Sequence, residues 1–287
     1  MAGMRRDSAM KYPEWVHKWL EPRERVVSYT WKDAVLYALG IGAEAHELDF
    51  LYEGAKGGLK VYPSFAGLLA GSVVRDFVEE QHPPRVLHGE QHVRIAAPLP
   101  PEGSILVSGR IRDVFDKGKA AVIHFLSEGK TQSGKVLFQV EHVAFYLGAG
   151  GFGGEKGPPS VPVEPPQGEE PKMGIASTIP LTQAALYRLC GDLNPLHIDP
   201  EVAEKVGFPR PILHGMCTYG YATRALVQGL CAGEVTRFKE FRARFTDVVY
   251  PGDTLITEAW PAGEGRFVVR ARTERSVVLG NAWAVIT

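Results

Sequence analysis

The chain has 287 residues, 45% of them hydrophobic, and its 32 basic side chains nearly balance 33 acidic ones, for a formal charge of −1. That length accommodates two small domains or one large one, with apolar residues enough for a sizeable core. The near-zero charge, with no Lys/Arg cluster, excludes nucleic acid as the expected partner, and no apolar run is long enough to span a membrane.

Residues 1–24 read as an N-terminal extension without an apolar signal core, in which Trp15-Val-His-Lys-Trp-Leu20 has the look of a short amphipathic helix packing on the body or on another chain. Residues 25–147 form a first unit. It opens with a helical run from Asp33 to Leu39, approaches a second helix through Tyr62-Pro-Ser-Phe-Ala, and continues helically from Gly67 to Glu79. Strand-like alternation follows over Val93–Ala97, Ile105–Val114, Lys119–Phe125 and Val136–Leu147.

From residue 148 to 174 Gly and Pro are dense and no periodicity survives, which reads as a linker. Residues 175–287 then repeat the pattern: a helical run from Thr182 to Leu189, a Pro-containing approach from Pro209, a second helix from Met216 to Cys231, and strands over Phe238–Val249, Asp253–Trp260, Arg266–Thr273 and Gly280–Ile286. Helices followed by strands, twice over, predict an α+β layer rather than a doubly wound sheet. The cysteines at 190, 217 and 231 lack metal or redox spacing and fall on or beside apolar runs. Reduced, buried thiols are expected, and the C-terminal Ala-Val-Ile-Thr287 does not match a Ser-Lys-Leu peroxisomal address, so a cytoplasmic protein is the expectation.

The chemistry-bearing segment is Tyr187-Arg-Leu-Cys-Gly-Asp192-Leu-Asn194-Pro-Leu-His197. It sets a carboxylate, an amide and an imidazole on one short turn past a helix. Gly-Asp-x-Asn-Pro is also a good turn sequence in its own right. An Asp and a His held close together orient one water, one group taking a proton while the other gives one, the minimum equipment for adding water to a double bond. Downstream, Leu213-His214-Gly215-Met216 leads into the second helix, so Gly215 lies where backbone N–H groups have no intrahelical partner. A thioester oxygen held there becomes the electron sink that addition requires.

These residues resemble the R-specific 2-enoyl-CoA hydratases, also called hydratase 2 or MaoC-like dehydratases. The Gly-Asp-x-Asn-Pro-Leu-His core and the Ile-Leu-His-Gly-Met run fit without departure. Arg244 to Leu255, Trp31 to Ala43, Leu87-His-Gly-Glu-Gln91 and Gly150 to Gly154 extend the likeness to about residues 25–287. The resemblance implies two tandem hotdog units, each a long helix wrapped by an antiparallel sheet, forming an internal pseudo-dimer. It also implies reversible hydration of trans-2-enoyl-CoA to the 3R-hydroxyacyl product. In that family the Asp and His activate water and the Gly amide binds the thioester oxygen. Those roles fall on Asp192, His197 and Gly215, with Asn194 shaping the loop and contacting the water.

Superposing the Leu36-Tyr37 and Leu186-Tyr187 pairs puts Gly42, Glu44 and Glu47 opposite Asp192, Asn194 and His197, so one site per chain is expected, on the second half. The first half is expected to contribute an acyl-tail pocket, with Leu59, Val61, Phe65 and Leu68 as candidates; core packing explains these residues equally well. His214 reads as a loop residue beside the substrate. Arg242 and Arg244, with Lys239, are candidates for the coenzyme A phosphates, although residues alternating on an exposed face are also satisfied by solvent. No metal or organic cofactor is expected beyond coenzyme A as part of the substrate: Asp192, His197 and His214 are ligand types, but without paired Cys or a His-x-x-x-His helix. A homodimer is compatible with this organisation and not required by it. Two other readings stay open, a hotdog acyl-CoA thioesterase and a non-catalytic acyl-CoA-binding subunit. The former generally places a carboxylate on the long helix, and Met216 to Ala232 has none.

Overall fold

A computed structural model describes residues 12–81 and 86–287; residues 1–11 of the N-terminal extension lie outside it. In chain order the strands are β1 Arg23–Tyr29, β2 Val86–Ile95, β3 Gly103–Asp116, β4 Ala120–Thr131, β5 Val136–Leu147, β6 Met173–Thr178, β7 Phe238–Phe245, β8 Thr254–Pro261, β9 Arg266–Arg272 and β10 Val277–Ile286. The helices are α1 Trp31–Gly40, α2 Leu48–Leu51, α3 Phe65–Gln81, α4 Gln183–Tyr187, α5 Pro200–Lys205 and α6 Gly215–Gly229.

All ten strands join one antiparallel sheet in the order β1-β3-β4-β5-β2-β7-β10-β9-β8-β6. Counted outward from the β2–β7 seam, each half repeats the same topology, so the sheet is two hotdog sheets fused edge to edge. The seam is paired through Gln91 with Ala243, His92 with Arg242 and Val93 with Phe241. Corresponding residues of the halves differ by 150 in number: β1 and β6 start at Arg23 and Met173, the long helices start at Phe65 and Gly215, and Tyr37 matches Tyr187.

The helix layer follows from local chemistry. Thr30 starts α1, its N–H and hydroxyl both donating to the Asp33 carboxylate at 2.7 Å. Every residue of α6 from Cys217 to Val227 is buried, as an apolar helix enclosed by its own sheet and the other half requires. The segment Glu14–Trp19 is a 3₁₀ helix whose Val16 and Trp19 enter the core, Trp19 edge-on to Phe77. The Gly/Pro-rich linker straps back onto the sheet: Asp116 accepts from the N–H groups of Gly151 and Gly153, and Val163 N–H donates to Asn281 Oδ1.

Two strands escaped the sequence reading. β1 and β6 are the outermost strands, short and with only one buried residue each, so the sequence marks them weakly. Each straddles an expected boundary, β1 starting two residues before the first unit and β6 two residues before the second. The first helix of the second half is shorter than read, with α4 passing into a 3₁₀ turn at Arg188–Cys190. Among the described residues no helix is long and apolar enough to cross a membrane, and all three cysteines are free.

Candidate active site

The Asp192–His197 loop begins where α4 and its 3₁₀ turn end. Gly191 closes the turn at φ +119°, a conformation a side chain strains. Asp192 Oδ1 accepts from Asn194 N–H at 3.2 Å, and Asn194 Oδ1 accepts from Leu196 N–H at 3.0 Å. Asn194 thus caps the short turn Pro195–His197, with Pro195 at its first position. This capping carries His197 inward, 8% exposed, while Asn194 itself stays on the surface.

The second wall is the approach to α6. His214 is fully buried and stacks on His197 with ring centroids 3.8 Å apart. His197 Nδ1 lies 2.9 Å from the Ile212 carbonyl, and His214 Nε2 lies 3.1 Å from the Asp192 carbonyl. Carbonyls only accept, so each of these nitrogens carries the hydrogen. A neutral His197 therefore presents a bare Nε2. His214 is left with a buried Nδ1 that has no partner among the described residues. Burial lowers the pKa of His197; the same cause, aided by the neighbouring His197, pushes His214 down to about 4. Both rings are neutral near pH 7.

One polar atom of each of Asp192, His197 and His214 lies within 4.8 Å of the others. That spacing suits a water held between a carboxylate and an unprotonated imidazole nitrogen. One Asp and two His are also a ligand set in type, but two of the four ring nitrogens are committed to carbonyls. Gly215 opens α6 immediately after His214, and a Cβ there would stand 3.3 Å from the Phe245 ring, so the helix start is closely walled.

The expected substrate contacts divide. Arg242 and Arg244 both grip Glu90 across the β2–β7 seam, at 2.5 and 2.6 Å. Although burial alone would raise Glu90, the two guanidiniums hold its carboxyl below the usual range. Both arginines are a little over a third exposed, so each keeps solvent-facing surface while bound to Glu90. Phe65 packs on Tyr29 and Tyr37 and lines a cleft of about 160 Å³ together with Leu36, Leu68, Arg75, Leu189 and Cys190. Leu59 and Val61 are core residues away from that cleft: Lys60 between them bonds the Gly233 carbonyl, past the far end of α6.

Sequence reasoning missed one functional-looking group, Arg224. In the first half the loop matching the catalytic one carries Glu44 and Glu47. Glu47, 5% exposed, takes Arg224 of α6 through both oxygens at 2.5 to 3.0 Å and the Tyr62 hydroxyl at 2.8 Å. Glu44 adds a contact at 3.0 Å. The signal was a single charge in the otherwise uncharged α6.

Residues 27–148 match the family described as the MFE-2 hydratase 2 N-terminal domain, and residues 162–281 match the MaoC like domain. The chain is 37% identical, over 86% of its length and 85% of the other protein, to the Arabidopsis thaliana protein named "Enoyl-CoA hydratase 2, peroxisomal". This chain belongs to the MaoC-like hydratase 2 family. The crystal structure of a MaoC-like dehydratase from Phytophthora capsici is similar to this hydratase 2 relative at TM-score 0.84 and 31% identity, covering 95% of this chain and 97% of that one. A Mycobacterium tuberculosis protein described as a double hotdog fold shares the fold at TM-score 0.57 and 14% identity, over 92% of this chain and 95% of that one. The Asp192–His197 loop and the α6 start both fall inside the MaoC like match.

Proposed function

We propose that the chain reversibly hydrates trans-2-enoyl-CoA thioesters to (3R)-3-hydroxyacyl-CoA at the Asp192/His197 loop. The observation that carries this is the convergence of Asp192, His197 and His214, one polar atom of each within 4.8 Å of the others, with His197 Nδ1 committed to the Ile212 carbonyl so that Nε2 is the nitrogen left to accept, next to the start of α6. The thioester oxygen binds at the Gly215 N–H. His197 Nε2 takes a proton from the water, whose oxygen bonds to C3. The C2=C3 electron pair moves toward the thioester, and C2 then takes a proton back from the Asp192/His197 pair. Both deliveries come from one face, which makes the addition syn. No metal or organic cofactor enters these steps, and His214 acts by stacking His197 in place.

Arg242 and Arg244 stand as the groups that meet the coenzyme A phosphates, by sharing donors now directed at Glu90. Following the enoyl-thioester ultraviolet absorbance beside a thiol reagent separates the readings. Loss of absorbance without thiol release supports hydration. Thiol release supports the thioesterase, and binding without either change supports a non-catalytic subunit.

His197 must be unprotonated to accept, so activity falls when acid protonates it. Because burial lowers its pKa, the acid limb of kcat/KM, which reports the free enzyme, is expected below the ordinary imidazole value of about 6.5. A limb at or above that value contradicts His197 as the acceptor.

A further inference from the structure

We infer that Gly71 of α3 is the position over which the acyl chain leaves the catalytic loop, and that its missing side chain sets which chain lengths are accepted. The inference rests on the hydratase reading above and deepens it. Glycine in a helix interior is unfavourable relative to alanine, so each such glycine asks for a cause. For Gly67 and Gly220 the cause is packing: a Cβ would meet Met216 Cε at 2.7 Å and Ile41 Cγ2 at 2.2 Å. At Gly71 a Cβ would meet nothing within 4 Å. Packing does not require this glycine, and open space lies beside it.

The internal repeat says what that space faces. With corresponding residues 150 apart, Asp192 matches Gly42, His197 matches Glu47, Gly71 matches Tyr221 and Val74 matches Arg224. In the first half the space before the loop is full. A Cβ on Gly42 would stand 2.3 Å from the Tyr221 ring, and Arg224 holds Glu44 and Glu47. On the catalytic side the same two helix positions are a glycine and a valine, so the region in front of Asp192 is not plugged. A cleft of about 160 Å³ lies next to this position: Leu68 and Arg75, one turn either side of Gly71, line it together with Leu189 and Cys190, which run into the catalytic loop. Arg75 Nη1 lies 3.9 Å from where a Cβ on Gly191 would stand, which brings that face of α3 against the loop. The lining includes apolar Leu36, Phe65, Leu68 and Leu189, which suit a hydrocarbon tail, beside the polar Ser28, Asp33 and Arg75.

The test measures kcat/KM for crotonyl-, trans-2-decenoyl- and trans-2-hexadecenoyl-CoA with the unsubstituted chain, Gly71→Ala and Gly71→Leu, with melting temperatures alongside. Gly71→Leu is expected to lower the decenoyl-to-crotonyl ratio at least about tenfold, and Gly71→Ala much less. Should the leucine variant fail to fold, Leu68→Trp narrows the same cleft from the adjacent turn and is expected to shift the ratio the same way. Equal proportional losses at every length overturn the inference. An unsubstituted chain that hydrates only crotonyl-CoA overturns it while leaving the hydratase reading intact; one that hydrates none overturns both.

Discussion

Asp192→Asn is expected to lower kcat for enoyl-CoA hydration by about a thousandfold, with little change in melting temperature. The substitution is isosteric and keeps an oxygen for the Asn194 N–H, which Asp192 Oδ1 now accepts at 3.2 Å, so the turn has no reason to open. What is lost is a charge beside the water and one partner in proton transfer, an effect typically worth 10²–10⁴-fold. His197→Gln is expected to fall as far, because an amide cannot take the proton that the bare Nε2 takes. Purified variants assayed by enoyl absorbance, with circular dichroism melts as control, decide the matter. Turnover within about tenfold of the unsubstituted enzyme would remove Asp192 from the chemistry.

Breaking the ion pair in the first half should instead cost stability. Glu47→Ala is expected to destabilise the fold by about 3–5 kcal/mol, because it strands a buried guanidinium. Arg224 is 5% exposed and would keep only Glu44, whose side chain is 62% exposed, while the Tyr62 hydroxyl would lose its acceptor. For a chain of this size that amounts to a fall in melting temperature of about 10 °C. Replacing both partners, Glu47→Leu with Arg224→Met, is expected to restore most of the loss, since no uncompensated charge remains. A single-variant loss below about 1 kcal/mol, measured by urea titration, would mean that water already reaches the pair.

The pair also shows how the two halves have diverged. The loop after each first helix sits against the other half's long helix. In the second half that loop carries Asp192 and His197, and by the internal correspondence the matching α3 positions are Gly71 and Val74. In the first it carries Glu44 and Glu47, closed by Tyr221 and Arg224. The first-half loop is thereby bound to α6, the helix whose first residue is Gly215.

Much of this was legible before any coordinates. The Asp-x-Asn-Pro-x-His loop could be read because its turn is built from its own side chains: Asn194 caps Leu196 and Pro195 starts the short helix, both local effects. The long helices and the strands β5 and β9 were legible because they are strongly periodic. Edge strands β1 and β6 were not, since half-exposed residues carry little pattern. The His197–His214 stack and the Ile212 carbonyl that selects the tautomer were also hidden, because they join segments separated in sequence by the α5 region. Arg242 and Arg244 stood out as charges near the site, but their shared partner, Glu90, comes from the other half across the seam, and no spacing rule finds such a pair.

The most direct test of the whole account is hydration of trans-2-decenoyl-CoA in D₂O, with chiral and deuterium analysis of the product. Water held on one face by Asp192 and His197 predicts a 3R-hydroxyacyl-CoA whose single C2 deuterium lies on the same face as the new hydroxyl, formed about a thousandfold more slowly by Asp192→Asn. A 3S product, or deuterium on the opposite face, would contradict it.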